Sequence, residues 1–140
     1  MKLRTLTYLL ALPLALSFLT LSSCKKDKDP TLAERLVGTW DVTSFTVDGV
    51  ELVNFVMQTF TMRYNEVQGG EGAFRWTIVY VDGSTEVTNG FFSVNEENES
   101  IRLEADGEVI RLDIDLRNNN SVVLSGNVDG ESVVLRATRE

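Results

Sequence analysis

The sequence contains no histidine and a single cysteine, Cys24. The first absence removes the commonest metal ligand and the base of Ser–His and Cys–His nucleophile systems. The second leaves no intrachain disulfide to stabilise the fold, and a lone thiol calls for an explanation of its own. Basic residues are scarce: 13 Lys and Arg stand against 21 Asp and Glu, for a net charge of −8. That balance is wrong for nucleic acid, whose phosphates require a basic face. No phosphate-loop or dinucleotide glycine fingerprint occurs. There is one long apolar run, Leu6 to Leu21. It is shorter than the ~20 residues that span a bilayer, and Pro13, one of only two prolines, interrupts it.

What surrounds that run explains the cysteine. Lys2 and Arg4 precede it, and Leu21-Ser22-Ser23-Cys24 closes it. A basic start, an apolar stretch and small residues before a cleavage point read as a secretory signal. Leu-Ser-Ser-Cys resembles a bacterial lipobox. The resemblance implies removal of residues 1–23, lipid on Cys24, and anchoring at the bacterial outer membrane, with the domain facing the periplasm or the cell surface. Residues 24–30 then form a lipidated tether, Cys24-Lys25-Lys26-Asp27-Lys28-Asp29-Pro30, whose charge suits a solvated spacer. Removing Lys2 and Arg4 without any acid moves the net charge from −8 to near −10. So acidic a body is repelled by anionic lipid, which leaves the acyl chains to hold the membrane.

The folded domain is expected over residues 31–140, a length that suits one domain with a modest core. Thr31-Leu32-Ala33-Glu34 fits a capping box, with Thr at the N-cap and Glu three residues on. The short helix it starts ends at Gly38. From Thr39 the apolar pattern has period two. Asp-Gly pairs recur at 48–49, 82–83, 106–107 and 129–130, and Asp-Gly between alternating runs signals a type I′ hairpin turn. Eight strands are expected, near 39–47, 56–66, 72–81, 84–94, 99–105, 108–117, 121–128 and 131–139. Residues 50–66 also fit a helical spacing through Val53, Val56, Met57 and Phe60. The alternation of Phe60, Met62 and Tyr64 favours a loop followed by a strand.

Each strand shows one apolar face. Phe74, Trp76, Ile78 and Tyr80 alternate with Arg75, Thr77 and Val79; Ile110, Leu112, Ile114 and Leu116 alternate with charged residues. One-sided alternation suits a sheet wrapped on its own core, and short links make sequential neighbours pair antiparallel. Pairing the first strand with the last would remove exposed edges. The expected fold class is therefore all-β: an eight-stranded antiparallel up-and-down barrel preceded by one short helix. A Greek-key sandwich needs longer crossovers than this chain offers.

Gly38-Thr39-Trp40 resembles the Gly-x-Trp opening strand of the lipocalins and of small bacterial lipocalin-like domains. The resemblance implies that the short helix plugs one barrel end. It also implies a basic residue near the end of the last strand, over Trp40. Arg139 shares the parity of Val133, Leu135 and Ala137 and is the residue expected there, while Arg136 should face solvent.

An eight-stranded barrel is either just filled by side chains or holds one small ligand. The inward set is heavy: Trp40, Phe74, Trp76, Tyr80, Leu103, Leu112, Ile114, Leu124 and Leu135, with one of Phe91 or Phe92. Two readings stay open. In one, a small apolar cup near the open end is lined by Trp76, Tyr80 and Phe91 and binds a small apolar ligand, or the rim binds an envelope protein. In the other, the barrel is filled and serves as an inhibitor or a subunit of an envelope complex. The apolar segment 50–56 is a candidate lid or partner patch. No catalytic residue, metal or cofactor is expected, because the acids sit mostly in turns or on outward positions. Asp113, Asp115 and Asn118 to Asn120 lack the spacing and glycine of a calcium loop.

Overall fold

A computed structural model of the chain describes residues 28–65 and 67–140. The signal segment 1–23 and Cys24 lie outside the described residues. Thr31 caps α1 (Leu32–Leu36), its side chain accepting from the Glu34 backbone N–H while the Glu34 carboxylate accepts from the Thr31 N–H. The Glu96 carboxylate, far along the chain, takes the N–H groups of Leu32 and Ala33 at 2.9 and 3.1 Å. The donors that a helix start leaves unpaired are thus satisfied, and a carboxylate there suits the positive end of the helix dipole.

Nine strands follow: β1 (Gly38–Val47), β2 (Val50–Glu51), β3 (Met57–Tyr64), β4 (Glu71–Tyr80), β5 (Thr85–Asn95), β6 (Ser100–Ala105), β7 (Glu108–Asn118), β8 (Ser121–Val128) and β9 (Glu131–Arg139). All are antiparallel to their neighbours in the order β1-β3-β4-β5-β6-β7-β8-β9, and β9 closes on β1. The fold is the expected closed eight-stranded meander with one helix. The two-residue β2 is an addition, pairing only with the top of β1. The strand expected at 56–66 is shorter, Met57–Tyr64.

Three of the four Asp-Gly pairs turn as expected, with positive φ at both residues: 49° and 80° at Asp48-Gly49, 53° and 83° at Asp106-Gly107, 54° and 91° at Asp129-Gly130. The fourth departs from the expected type I′ turn. Only Gly83 is left-handed, because the link between β4 and β5 is longer and is closed by Asp82, whose carboxylate accepts from the Ser84 N–H and hydroxyl.

The barrel has two unlike ends. Helix α1 and the links 67–70, 96–99 and 119–120 gather at one; the turns at 48–49, 82–83, 106–107 and 129–130 gather at the other. Near the helix the interior is packed with Leu36, Trp40, Met62, Tyr64, Phe92, Ile101, Val122, Leu124 and Leu135, all nearly inaccessible. Aromatic rings climb from there towards the open end. Phe92 meets Tyr64 edge-on at 5.1 Å, Phe74 meets Trp76 at 5.4 Å, Trp76 meets Phe60 at 5.5 Å, and Phe60 meets Phe45 at 5.8 Å.

β1 carries a bulge between Val42 and Ser44, where its register against β9 shifts. Glu51 serves the strand beyond it. Its carboxylate accepts from the Ser44 hydroxyl at 2.5 Å and the Phe45 N–H at 2.8 Å, and from the N–H groups of Leu52 and Val53. Partial burial pushes the Glu51 carboxyl up, but these four hydrogen bonds outweigh it and hold the group below its ordinary value.

Candidate functional site: a cup at the open end

The strand register decides which side chains face inward. Across β4 and β5, Phe74 pairs with Gly90, Trp76 with Thr88 and Ile78 with Glu86. Across β6 and β7, Leu103 pairs with Ile110 and Ala105 with Glu108. All of these except Gly90, together with Asp106 of the turn, line a cavity of about 330 Å³. Its size lies at the low end for small-molecule sites.

Unequal hairpins create this cavity. β5 pairs with β6 only from Phe91 to Asn95, since β6 ends at Ala105. The first half of β5, Thr85 to Gly90, therefore runs above the β6–β7 hairpin with β4 as its one partner. Larger hollows of about 600 and 520 Å³ lie on the outer wall on either side of Phe91. They are bordered largely by outward residues such as Arg63, Arg75 and Arg102.

The residues singled out in the sequence fall as follows. Trp76 lines the cup, half-buried, and its indole N–H donates to the Tyr64 hydroxyl at 3.3 Å. Tyr80, also expected in the lining, is not among the residues that border the cavity; it lies higher on the same strand, and its hydroxyl donates to Glu86 Oε2 at 2.6 Å. That hydrogen bond, with some burial and the nearby charges of Glu86 and Asp82, raises the Tyr80 phenol above its ordinary value.

Phe91 is corrected: it does not line the cup. It is 71% exposed on the outer wall, paired with Ala73 and Glu104, while Phe92 is the buried neighbour. The alternation through Thr88 and Gly90 gives the inward parity to the even residues.

At the closed end, Trp40 and Arg139 are directly opposed across β1 and β9. The guanidinium carbon lies 4.3 Å from the Trp40 ring centroid. Arg139 also donates to the carbonyls of Arg35, Val37 and Asn119, at 2.5, 2.7 and 2.7 Å, and the Trp40 indole N–H donates to the Leu36 carbonyl at 2.8 Å. Arg136 is exposed. In segment 50–56, Val53 is buried under the rim, whereas Val50 and Phe55 are 64% and 74% exposed. Asp113 and Asp115 belong to β7, and Asp115 pairs with Arg117 at 2.9 Å.

The sequence reading passed over Glu86, Thr88, Ala105 and Glu108. A signal was present for Glu108, which shares the parity of Ile110 and Leu112. Glu86 sits opposite Ile78, and its inward position follows only once β4 and β5 are aligned.

No family model matches the chain, and no curated protein matches it. Solved structures do. A redesigned β-barrel is 15% identical with a TM-score of 0.61, covering 79% of this chain and 99% of its own. A de novo designed fluorescence-activating β-barrel is 20% identical with a TM-score of 0.57, covering 77% and 96%. Japanin from Rhipicephalus appendiculatus, bound to cholesterol, is 13% identical with a TM-score of 0.59, covering 79% of each chain. These likenesses place the chain among lipocalin-like β-barrels by fold.

Proposed function

We propose that the protein is a lipid-anchored binding protein of the bacterial outer membrane whose barrel takes up one small, largely apolar molecule at its open end. One observation carries this reading: the inward face is packed solid near the helix yet leaves a cavity of about 330 Å³ under Trp76, Ile78, Leu103 and Ile110. Apolar concavities with a few polar groups are the usual form of a small-molecule site. Japanin, a barrel of the same architecture, holds cholesterol, which supports the reading by analogy of fold. On this reading the protein acts by binding.

The polypeptide enters the barrel at the closed end, where Thr31 caps α1. A lipid on Cys24 would hold that end towards the membrane and leave the mouth pointing away. Cys24→Ala should then lose the diacyl mass and leave the membrane fraction; normal acylation of the variant would exclude the anchor.

The cup is tested by native mass spectrometry of the protein purified from its own host and then denatured. A reproducible small molecule, absent from an Ala105→Phe variant that fills the cup, is the expected result. An apo mass for both proteins favours the second reading, a protein partner on the rim, for which Val50, Phe55 and Val81 supply exposed apolar surface at 64%, 74% and 61%.

A further inference from the structure

We infer that the molecule taken up by the cup is a hydrophobic amine, an apolar body carrying one positive charge. The inference rests on the cup as the binding site and adds the class of ligand to it. The cavity supplies the site; the distribution of charge around it supplies the class.

The floor and walls are apolar: Phe74, Trp76, Ile78, Leu103 and Ile110. At the mouth, the charged groups lining the cavity are all carboxylates, Glu86, Asp106 and Glu108. Glu86 and Glu108 reach it because they hold the inward parity of β5 and β7, opposite Ile78 and Ala105. Glu131 holds the same parity at the start of β9, one pair above Gly126–Val133 in the alternation.

Among the described residues no Lys or Arg lies in the turns of this end. The arginine nearest to it along β7, Arg111, has the outward parity, paired with Arg102 on the wall. The ion pairs of the described residues are Arg102–Glu104 and Arg117–Asp115, so the mouth carboxylates have no cationic partner there.

Like charges clustered beside a low-dielectric wall repel one another and any anion that enters. A fatty-acid-like ligand would bring a further carboxylate to a mouth that holds no cation. A neutral ligand would leave the repulsion as it stands. An ammonium relieves it while its apolar part covers the floor. Glu86 is already oriented for this, since the Tyr80 hydroxyl occupies only one of its oxygens, Oε2, at 2.6 Å.

The test is calorimetric titration of the purified protein with three probes of equal chain length: octylammonium, octanol and octanoate. Octylammonium should bind at least tenfold more tightly than either of the others, and the gap should narrow as sodium chloride screens the mouth. In the Glu86→Gln/Glu108→Gln variant octylammonium should fall to the affinity of octanol. In Asp113→Asn, which removes an outward carboxylate on the wall, the preference should persist. Octanol or octanoate binding as tightly as octylammonium would overturn the amine assignment and leave the cup standing. Loss of the preference in Asp113→Asn would overturn it too, by showing that net charge alone is responsible. No binding by any of the three would overturn the cup and the inference together.

Discussion

Arg139 occupies the space that a side chain at position 38 would need. A Cβ built on Gly38 collides with the Arg139 guanidinium, and Gly38 itself has a φ of 135°. The glycine is required twice, for a backbone region closed to other residues and for the closest approach at the barrel's closed end. Gly38→Ala should therefore cost roughly 2–4 kcal/mol, the strain of that φ plus the displacement of Arg139. Urea denaturation measures it. A loss below ~1 kcal/mol would mean that the guanidinium can leave its place at little cost.

The same end of the barrel makes two arginines of the last strand unequal. Arg139 donates to three main-chain carbonyls and lies over Trp40, while Arg136 is exposed and has no ion pair among the described residues. Arg139→Ala should cost about 2–3 kcal/mol and leave the carbonyls of Arg35 and Val37 short of a donor. Arg136→Ala should stay within about 0.5 kcal/mol of the parent. Arg139→Lys should recover only part of the loss, because a single ammonium cannot span the three acceptors in the planar geometry of the fork. Melting temperatures of the three variants rank them, and equal values for the two alanine variants would show that the contacts of Arg139 carry no net stability.

Much of this architecture could be read from residue patterns, for physical reasons that also mark where reading stops. Alternation located the strands because one face of each is buried. The Asp-Gly pairs located the hairpins because positive φ is cheap for those residues. Parity assigned Arg139 inward because Leu135 and Ala137 precede it on an uninterrupted strand. Parity failed at Phe91 and Phe92, two adjacent aromatics of which either suits a core. Only the pairing of Phe74 with Gly90 settles the matter. The Glu96 cap on α1 was invisible for a different reason. Its partners lie 64 and 63 residues away, and no local pattern records such a distance. The cup was equally hidden, since it arises from the unequal lengths of two hairpins and not from any one strand.

Glu51 offers an acid-dependent measurement. Its carboxylate collects the Ser44 hydroxyl and the N–H groups of Phe45, Leu52 and Val53, and the group sits below its ordinary 4.5 in the folded protein. A carboxyl depressed by folding stabilises the native state above its unfolded value, and that stability is lost as pH falls through the folded value. Glu51→Gln keeps one acceptor oxygen and should cost ~1–3 kcal/mol at pH 7. The gap between variant and parent should close progressively below pH 4.5, as the parent's carboxyl protonates. A gap independent of pH would show that Glu51 acts through shape alone.

Tyr80 gives the opposite sign at the other extreme of pH, and it reports directly on the cup. Its hydroxyl donates to Glu86, and the phenol is raised above its ordinary value of 10.0 by that hydrogen bond first, then by burial and the charges of Glu86 and Asp82. A phenol raised by folding stabilises the native state below its unfolded value, and that stability is lost as pH climbs through the folded value. Phenolate absorbance at 295 nm follows the titration. The described residues hold only one other tyrosine, Tyr64, whose phenol is pushed much higher by complete burial, partly offset by the Trp76 hydrogen bond. Tyr64 should therefore ionise only as the barrel unfolds, which separates the two steps. In Glu86→Gln the Tyr80 step should move down towards 10, while the unfolding-linked step of Tyr64 stays in place. An unmoved Tyr80 step would mean that the Tyr80–Glu86 hydrogen bond does not form in solution, and Glu86 would then lack the orientation that makes it the fixed carboxylate of the mouth.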